Sequence, residues 1–170
     1  MSFTPILLSL SILALLGGLA LPAWQNACTQ AQLKARAQAL IADTQWAQWQ
    51  ALRLGEAIDL SPLACANSAR PTTDWSCGWQ VLRPNSNFTD QNQVLREREF
   101  NPNIRMTAFA SATAVQSQSN WRFDAQGRWR MGAMRVEWSG LGRAGPALGY
   151  TVCVSNTGRW RWQSGLGCSS

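Results

Sequence analysis

The chain has 170 residues, of which 46% are apolar, and this is enough for one domain with a packed core. It contains no histidine, its acidic residues are scattered, and no serine lies in a nucleophile-elbow motif. We therefore predict no catalytic residue, no metal site and no cofactor, and we do not expect an enzyme.

The net charge of +6 is distributed unevenly along the chain. Residues 1–120 carry eight basic and seven acidic side chains, whereas residues 121–170 carry seven arginines and only two acids, Asp124 and Glu137. Clustered positive charge favours a polyanion or an anionic surface as the partner. Simple solubility is the alternative explanation for this charge.

The N-terminal segment has the composition of a membrane helix, because its first 33 residues carry no charged side chain. A helix from Pro5 to Trp24 would be roughly 30 Å long, which matches the hydrocarbon core of a membrane. We predict that residues 1–24 form a retained inner-membrane anchor, with Trp24 at the interface. A cleaved secretory signal is the competing interpretation. Under both interpretations the remainder of the chain is exported.

Residues 25–55 predict an amphipathic helix that continues the anchor. Gly55 stands where a helix C-cap is expected, so the whole rod would end at Leu54 and measure on the order of 75 Å. Trp46 and Trp49 are expected to pack against a sheet. The predicted buried stripe, which recurs at helical spacing, consists of Leu33, Ala37, Leu40, Ile41, Thr44, Ala47 and Ala51.

Residues 56–170 have the pattern of an antiparallel β domain, which makes the fold class α+β. Tryptophans in apolar alternation are predicted to be core residues, and they are Trp75, Trp79, Trp121 and Trp138. Clusters of Pro, Asn, Gly and Ser separate the strand-like segments. These segments are "AIDLSPLAC", "CGWQVLR", "QVLREREF", "IRMTAFA", "NWRFDAQGRW", "MRVEWS" and "YTVCVSNTGRWRW".

The five cysteines are spaced as two loops, which suits an exported protein. We predict disulfides between Cys65 and Cys77 and between Cys153 and Cys168. The second bridge would close a loop around the C-terminal arginines and stabilise it by roughly 3 kcal/mol. Cys28 is left over. Reduced, buried cysteines are the alternative.

The C-terminal segment "SNTGRWRW" is the strongest candidate for a binding site. In a strand, Arg159 and Arg161 would share one face while Trp160 and Trp162 share the other, so one face is cationic and the other buries indoles. "SNTG" is a turn signal, and Gly158 can take a positive φ there. Arginine suits phosphate because its planar fork forms paired, charge-assisted hydrogen bonds. High-GC codon usage would also favour arginine over lysine.

An earlier segment, "QGRWRM" at residues 126–131, repeats the same alternation. Arg128 and Arg130 are second-rank candidates for ligand contact, since a solvated strand face explains them equally well. Arg143, in the loop "SGLGRAGPALG", is a further candidate. Arg135 is expected to pair with Glu137 on its own strand.

These segments resemble the type IV pilin-like proteins of the GspH/FimT family. The resemblance rests on an apolar helix that continues into an amphipathic one, on "SCGWQVLR", "QVLRER" and "WRFDAQGR", and on the ending "VCVSNTGRWR". It implies a pilin fold, in which the long helix anchors the subunit in the inner membrane and then packs with other pilins in a pilus or pseudopilus. In the FimT branch it implies a minor pilin that binds double-stranded DNA in natural transformation, through a motif that maps onto Gly158, Arg159 and Arg161.

The N-terminus departs from the pattern of this family. Ser2 stands where prepilins have the glycine that precedes the cleavage site, and Leu7 stands where they have a glutamate. Phe3 and Thr4 match the pattern of the family, so the sequence leaves open whether the prepilin peptidase cleaves and methylates this chain. A divergent paralogue and a misassigned start both explain the departure.

Two rival functions remain open from the sequence. The first is a structural pseudopilin at the tip of a type II secretion system, with the same fold and no DNA binding. The second is a tryptophan-rich carbohydrate-binding module, although sugar binding gives no reason for clustered arginines. The charge asymmetry and the Gly158 motif favour DNA.

Overall fold

The computed structural model of the protein describes residues 4–65, 73–84, 92–101, 104–109, 120–129, 134–140, 149–155, 159–165 and 168, with side chains from residue 24 onward. Within these ranges the chain forms one helix and eight strands. They are α1 (Thr4–Leu54), β1 (Ile58–Pro62), β2 (Gly78–Arg83), β3 (Gln93–Glu99), β4 (Ile104–Phe109), β5 (Trp121–Phe123), β6 (Met134–Gly140), β7 (Gly149–Val154) and β8 (Trp160–Ser164).

Helix α1 is 51 residues long, which corresponds to about 76 Å at 1.5 Å per residue. It ends as predicted, because the Gly55 N–H donates to the Ala51 carbonyl at 2.9 Å. The predicted stripe is buried except for Ile41, which is half-buried. Apolar residues three and four apart lie on one side of a helix, so this stripe is the side that the sheets cover.

The predicted membrane anchor is not confirmed. Among the residues that the structure describes, no helix is both long enough and apolar enough to cross a membrane. Ser2 and the side chain of Leu7, on which the prediction about processing depends, lie outside the described residues.

Two four-stranded antiparallel sheets pack against α1. Sheet A has the strand order β3-β2-β1-β5, and sheet B has the order β4-β6-β7-β8. Helix α1 contacts β1 and β5 of sheet A and β6 and β7 of sheet B. This order makes β3 an edge strand of sheet A and β8 an edge strand of sheet B, and both edge strands carry arginines.

The core between the helix and the sheets is built on tryptophan. Trp75, Trp79, Trp121 and Trp138 are each at most 1% exposed, which confirms their prediction as core residues. Trp75 stacks on Trp121 with ring centroids 4.4 Å apart. Gly78, with φ of 125°, lets β3 approach, because a Cβ there would lie 2.0 Å from the Arg98 carbonyl oxygen.

A buried carboxylate joins α1 to the edge of sheet A. Asp43 is 1% exposed and accepts hydrogen bonds from Trp79 Nε1 at 2.9 Å, Arg96 Nη1 at 2.8 Å and Arg98 Nε at 2.6 Å. The hydrogen bond to Asp43 raises the pKa of Arg98, so this guanidinium stays charged. We call Asp43, Arg96 and Arg98 the Asp43 clamp. The sequence pattern did not predict it, because the three residues are far apart in the chain.

Candidate nucleic-acid interface

The β7–β8 hairpin positions the C-terminal arginines. Its two strands pair with Val154 opposite Trp160 and Cys153 opposite Arg161. At the turn end of the hairpin, Ser155 N donates to the Arg159 carbonyl at 3.0 Å and Arg159 N donates to Ser155 Oγ at 3.1 Å. Arg159 therefore has a defined backbone position at the start of β8, as the turn signal predicted.

Strand β8 is also held at its other end, beside the C-terminus. Gly165 N donates to the Gly149 carbonyl, and Thr151 Oγ1 donates to the Gly165 carbonyl, both at 2.7 Å. Cys153 of β7 is bonded to Cys168, with their Cα atoms 6.0 Å apart. These bonds hold the C-terminal end of β8 against β7 and so fix the position of the strand.

The cysteine pairing in the structure is the pairing that the spacing predicted. Besides the bridge at the C-terminus, Cys65 is bonded to Cys77, with Cα atoms 5.4 Å apart. This bridge links the end of β1 to the start of β2. Cys28 carries a free thiol, also as predicted.

The two Gly-Arg-Trp segments of the sequence meet in the fold. The rings of Trp129 and Trp160 lie edge to face, 6.1 Å apart, and each contacts Trp121, at 5.9 and 6.3 Å respectively. Trp129 is half-buried and packs against the core. This aromatic contact therefore places the segment that carries Arg128 next to the segment that carries Arg159 and Arg161.

The turn that carries Arg128 is docked on the end of α1. Gln48 Nε2 donates to the Gly127 carbonyl at 2.9 Å, and Arg128 N donates to Asp124 Oδ1 at 2.8 Å. Gly127 has φ of 66°, and a Cβ there would lie 2.7 Å from Leu52 Cγ. A glycine is needed for this close approach, which leaves the Arg128 side chain exposed.

The arginines of this region differ in their partners from five other arginines, although Arg53 and Arg105 are also exposed without an ion-pair partner among the described residues. Arg128, Arg159 and Arg161 are exposed, and they have no ion-pair partner in the described part of the chain. Elsewhere each of several arginines pairs with a carboxylate, and these pairs are Arg83–Glu56, Arg96–Asp43, Arg98–Asp43, Arg122–Asp59 and Arg135–Glu137. The last pair was predicted. Unpaired guanidinium groups remain available for an anionic ligand.

The hydrogen bond from Arg122 to Asp59 shows what pairing does to an arginine. Arg122 Nε and Nη2 donate to the two Asp59 oxygens at 2.7 and 2.6 Å. This hydrogen bond raises the pKa of Arg122. Because two of its N–H donors are already bound to Asp59, Arg122 has fewer donors than Arg159 available for a phosphate.

Two tryptophans do not lie where the sequence pattern predicted. Trp162 was expected to be buried on the face opposite the arginines, but it is 56% exposed. Only Trp160, on the same face, is half-buried. Trp49 was expected to pack against a sheet, but it is 71% exposed, because it lies on the side of α1 opposite the buried stripe. Trp46 does pack, with Arg96 over its ring at 5.1 Å.

Three of the predicted binding residues cannot be placed. Gly158, Arg130 and Arg143 lie outside the described residues. The structure therefore joins the segment of Arg128 to the segment of Arg159 and Arg161 through their tryptophans, and the other three candidates stay sequence-based predictions.

The comparisons with known proteins agree with this architecture. Residues 36–158 match the family model described as type II transport protein GspH. The chain belongs to the GspH family. The matched residues include most of the β domain and stop immediately before Arg159, so they do not cover β8.

The fold is similar to that of a type IV minor pilin, FimU of Pseudomonas aeruginosa strain PAO1. In one crystal form the TM-score is 0.58 at 17% identity, covering 82% of this chain and 94% of FimU. In a second crystal form the TM-score is 0.57 at 18% identity, covering 81% of this chain and 98% of FimU. No curated protein sequence matches significantly.

Membership of the GspH family confirms the predicted GspH/FimT resemblance and the α+β pilin fold. The family and the fold are those of structural, pilin-type proteins. They imply that the subunit assembles with other pilins into a pilus or pseudopilus.

Proposed function

We propose that this GspH-family subunit is a minor pilin that binds double-stranded DNA through the phosphate backbone, for DNA uptake in natural transformation. The observation that carries the proposal is the pair of exposed arginines at the start of β8, Arg161 on the strand and Arg159 immediately before it, which have no ion-pair partner among the described residues. Before assembly, residues 1–24 would hold the subunit in the inner membrane with its β domain in the periplasm.

The geometry of β8 suits a phosphate backbone. Residues two apart on a strand lie about 6.6–6.8 Å from each other and face the same way, so Arg159 and Arg161 can contact successive phosphates of one DNA strand. Arg128 adds a third cation, because the contact between Trp129 and Trp160 joins its segment to β8. Gly158, Arg130 and Arg143 remain candidates for further contacts.

Backbone contacts of this kind are weak and carry no sequence information. A few arginines correspond to a dissociation constant on the order of micromolar or weaker at physiological salt. Several copies, or incorporation into a filament, would raise the effective affinity without new contacts. DNA capture is therefore proposed for the assembled filament rather than for the single subunit.

The proposal is tested by replacing the two arginines of β8. In a gel-shift titration of the full chain in detergent, the double variant Arg159→Ala, Arg161→Ala should lose about two phosphate contacts. The slope of log affinity against log salt should fall by about 1.8, and affinity at 0.15 M salt should fall about 30-fold. Stability should change by less than about 0.5 kcal/mol, since both side chains are exposed.

A variant with the same net charge provides the control. Arg83→Ala with Arg105→Ala also removes two exposed positive charges, but Arg83 already pairs with Glu56 and Arg105 lies on β4. This control should keep nearly all of the affinity. Equal binding by the wild type and the β8 variant would mean that Arg159 and Arg161 are only a solvated strand face.

A structural subunit of a type II secretion pseudopilus is the second candidate, and the match to the family of type II transport protein GspH favours it. This alternative predicts no duplex binding by the wild type, even at low salt. The same titration therefore separates the two functions.

A further inference from the structure

The face of β8 opposite the arginines carries an exposed aromatic site. Trp162 stacks on Tyr150 of β7, with ring centroids 6.2 Å apart and an interplanar angle of 30°. The only lysine of the chain, Lys34 of α1, places its Nζ 5.8 Å from the centroid of the Trp162 ring. With both neighbours in place, 56% of Trp162 still faces solvent.

Packing does not account for this exposure. The next tryptophan on the same face, Trp160, is half-buried against Trp121 and Trp129, and four other tryptophans are almost fully buried. The exposed part of an indole ring is a stacking surface for a planar base, and a nearby cation adds attraction for the phosphate attached to that base.

We propose that Trp162, Tyr150 and Lys34 bind an unpaired nucleobase and its phosphate, so that the subunit prefers DNA with a single-stranded segment to blunt duplex. The proposal rests on the proposed DNA-binding function and specifies its substrate. Strand β8 would lie between the two parts of the ligand. Arg159 and Arg161 contact the backbone on one face, and Trp162 stacks on the splayed base on the other.

The edge position of β8 makes this arrangement possible. An edge strand has no neighbour on one side, so a nucleic-acid strand that follows its free edge can reach both faces. The bonds at Gly165 and between Cys153 and Cys168 hold the strand in place. Base stacking on an aromatic side chain tolerates all four bases, so no sequence preference is expected.

Three DNA probes that share one duplex test the proposal with the full chain in detergent. The first is blunt, the second has a single-stranded tail with bases, and the third has an abasic tail of the same length. The two tails carry the same phosphates, so a difference between them measures base contact alone. Wild type should bind the tail with bases at least about fivefold more tightly than the abasic tail, the lower end of what one stacked base supplies.

The variant Trp162→Leu should lose this difference and keep its affinity for blunt duplex, while Trp162→Phe should keep part of the difference because a ring remains. Trp49→Leu is the matched control. Trp49 is also highly exposed, but it lies 15 residues beyond Lys34, or about 22 Å along the helix axis. This control should keep the whole difference.

Equal wild-type affinity for the two tails would overturn the proposal, and so would a Trp162→Leu variant that keeps the difference. Binding of blunt duplex in that case would leave the proposed DNA function standing. Failure of all three probes to bind would overturn both. Binding of the tail with bases alone would support the stacking site and contradict the duplex function.

Discussion

Two of the edge strands, β3 and β8, carry a similar pair of arginines in different surroundings. In each pair the arginines are two positions apart: Arg96 and Arg98 lie on β3, while Arg161 lies on β8 and Arg159 immediately before it. The β3 arginines both donate to Asp43 of α1. The β8 arginines have no carboxylate partner in the ranges that the structure describes. Spacing of arginines on a strand therefore does not distinguish a structural role from a binding role; the neighbouring element does.

Removing the carboxylate of the Asp43 clamp should have the largest effect. Asp43→Ala leaves the Trp79 indole N–H buried without its acceptor and Arg96 and Arg98 without their counter-ion, so we expect a loss of about 3–5 kcal/mol in the free energy of unfolding. Urea denaturation followed by circular dichroism measures it. A loss below about 1 kcal/mol would mean that the β3 arginines are no more structural than those of β8.

The bridge at the C-terminus is the counterpart of the clamp on the other edge strand. Cys153→Ser with Cys168→Ser opens a disulfide between residues 15 positions apart and should lower the free energy of unfolding by about 3 kcal/mol. Affinity for DNA should fall as well, since β8 is no longer held at that end. Unchanged stability under oxidising conditions would show that hydrogen bonds at Gly165 suffice to hold β8.

Breaking the exposed ion pair between Arg83 and Glu56 should have the smallest effect on stability. The hydrogen bond from Arg83 lowers the pKa of Glu56, so the pair contributes stability above the ordinary pKa of glutamate and loses it as pH falls through the lowered value. We expect the melting temperature of Glu56→Gln to be slightly lower than that of the wild type at pH 7. Below about pH 3 the two melting temperatures should be equal. Thermal melts at low ionic strength would detect this difference in melting temperature. If the difference persists in acid, its cause is packing and not the ion pair.

Much of the fold follows from local sequence patterns. The stripe from Leu33 to Ala51 predicts one side of α1, because the spacing of a helix is set by its backbone alone. Gly55 predicts its end. The buried tryptophans and both disulfides were also predicted, since apolar alternation and cysteine spacing are properties of short segments.

The binding surface depends on contacts between distant segments, and there prediction was only partly correct. Alternation on β8 correctly separates Arg159 and Arg161 from the tryptophans, but burial of Trp162 was predicted wrongly. A side chain on the inner face of a strand is not necessarily buried at a sheet edge, and among the described residues no further strand pairs with β8 beyond that edge. The prediction that Trp49 packs against a sheet was wrong for a related reason, since only one side of α1 contacts the sheets.

The sequence by itself determined the long helix, the β domain, the cysteine pairs and the concentration of arginine in the last third of the chain, because each depends on residue type and short-range spacing. Only the tertiary structure decided which arginines are free. Asp43 of α1 binds Arg96 and Arg98, although it precedes them by more than 50 residues in the chain. The contact between Trp129 and Trp160 likewise joins two segments that are distant in the sequence. Ion pairs and aromatic contacts act over a few ångströms in space, whatever the separation along the chain.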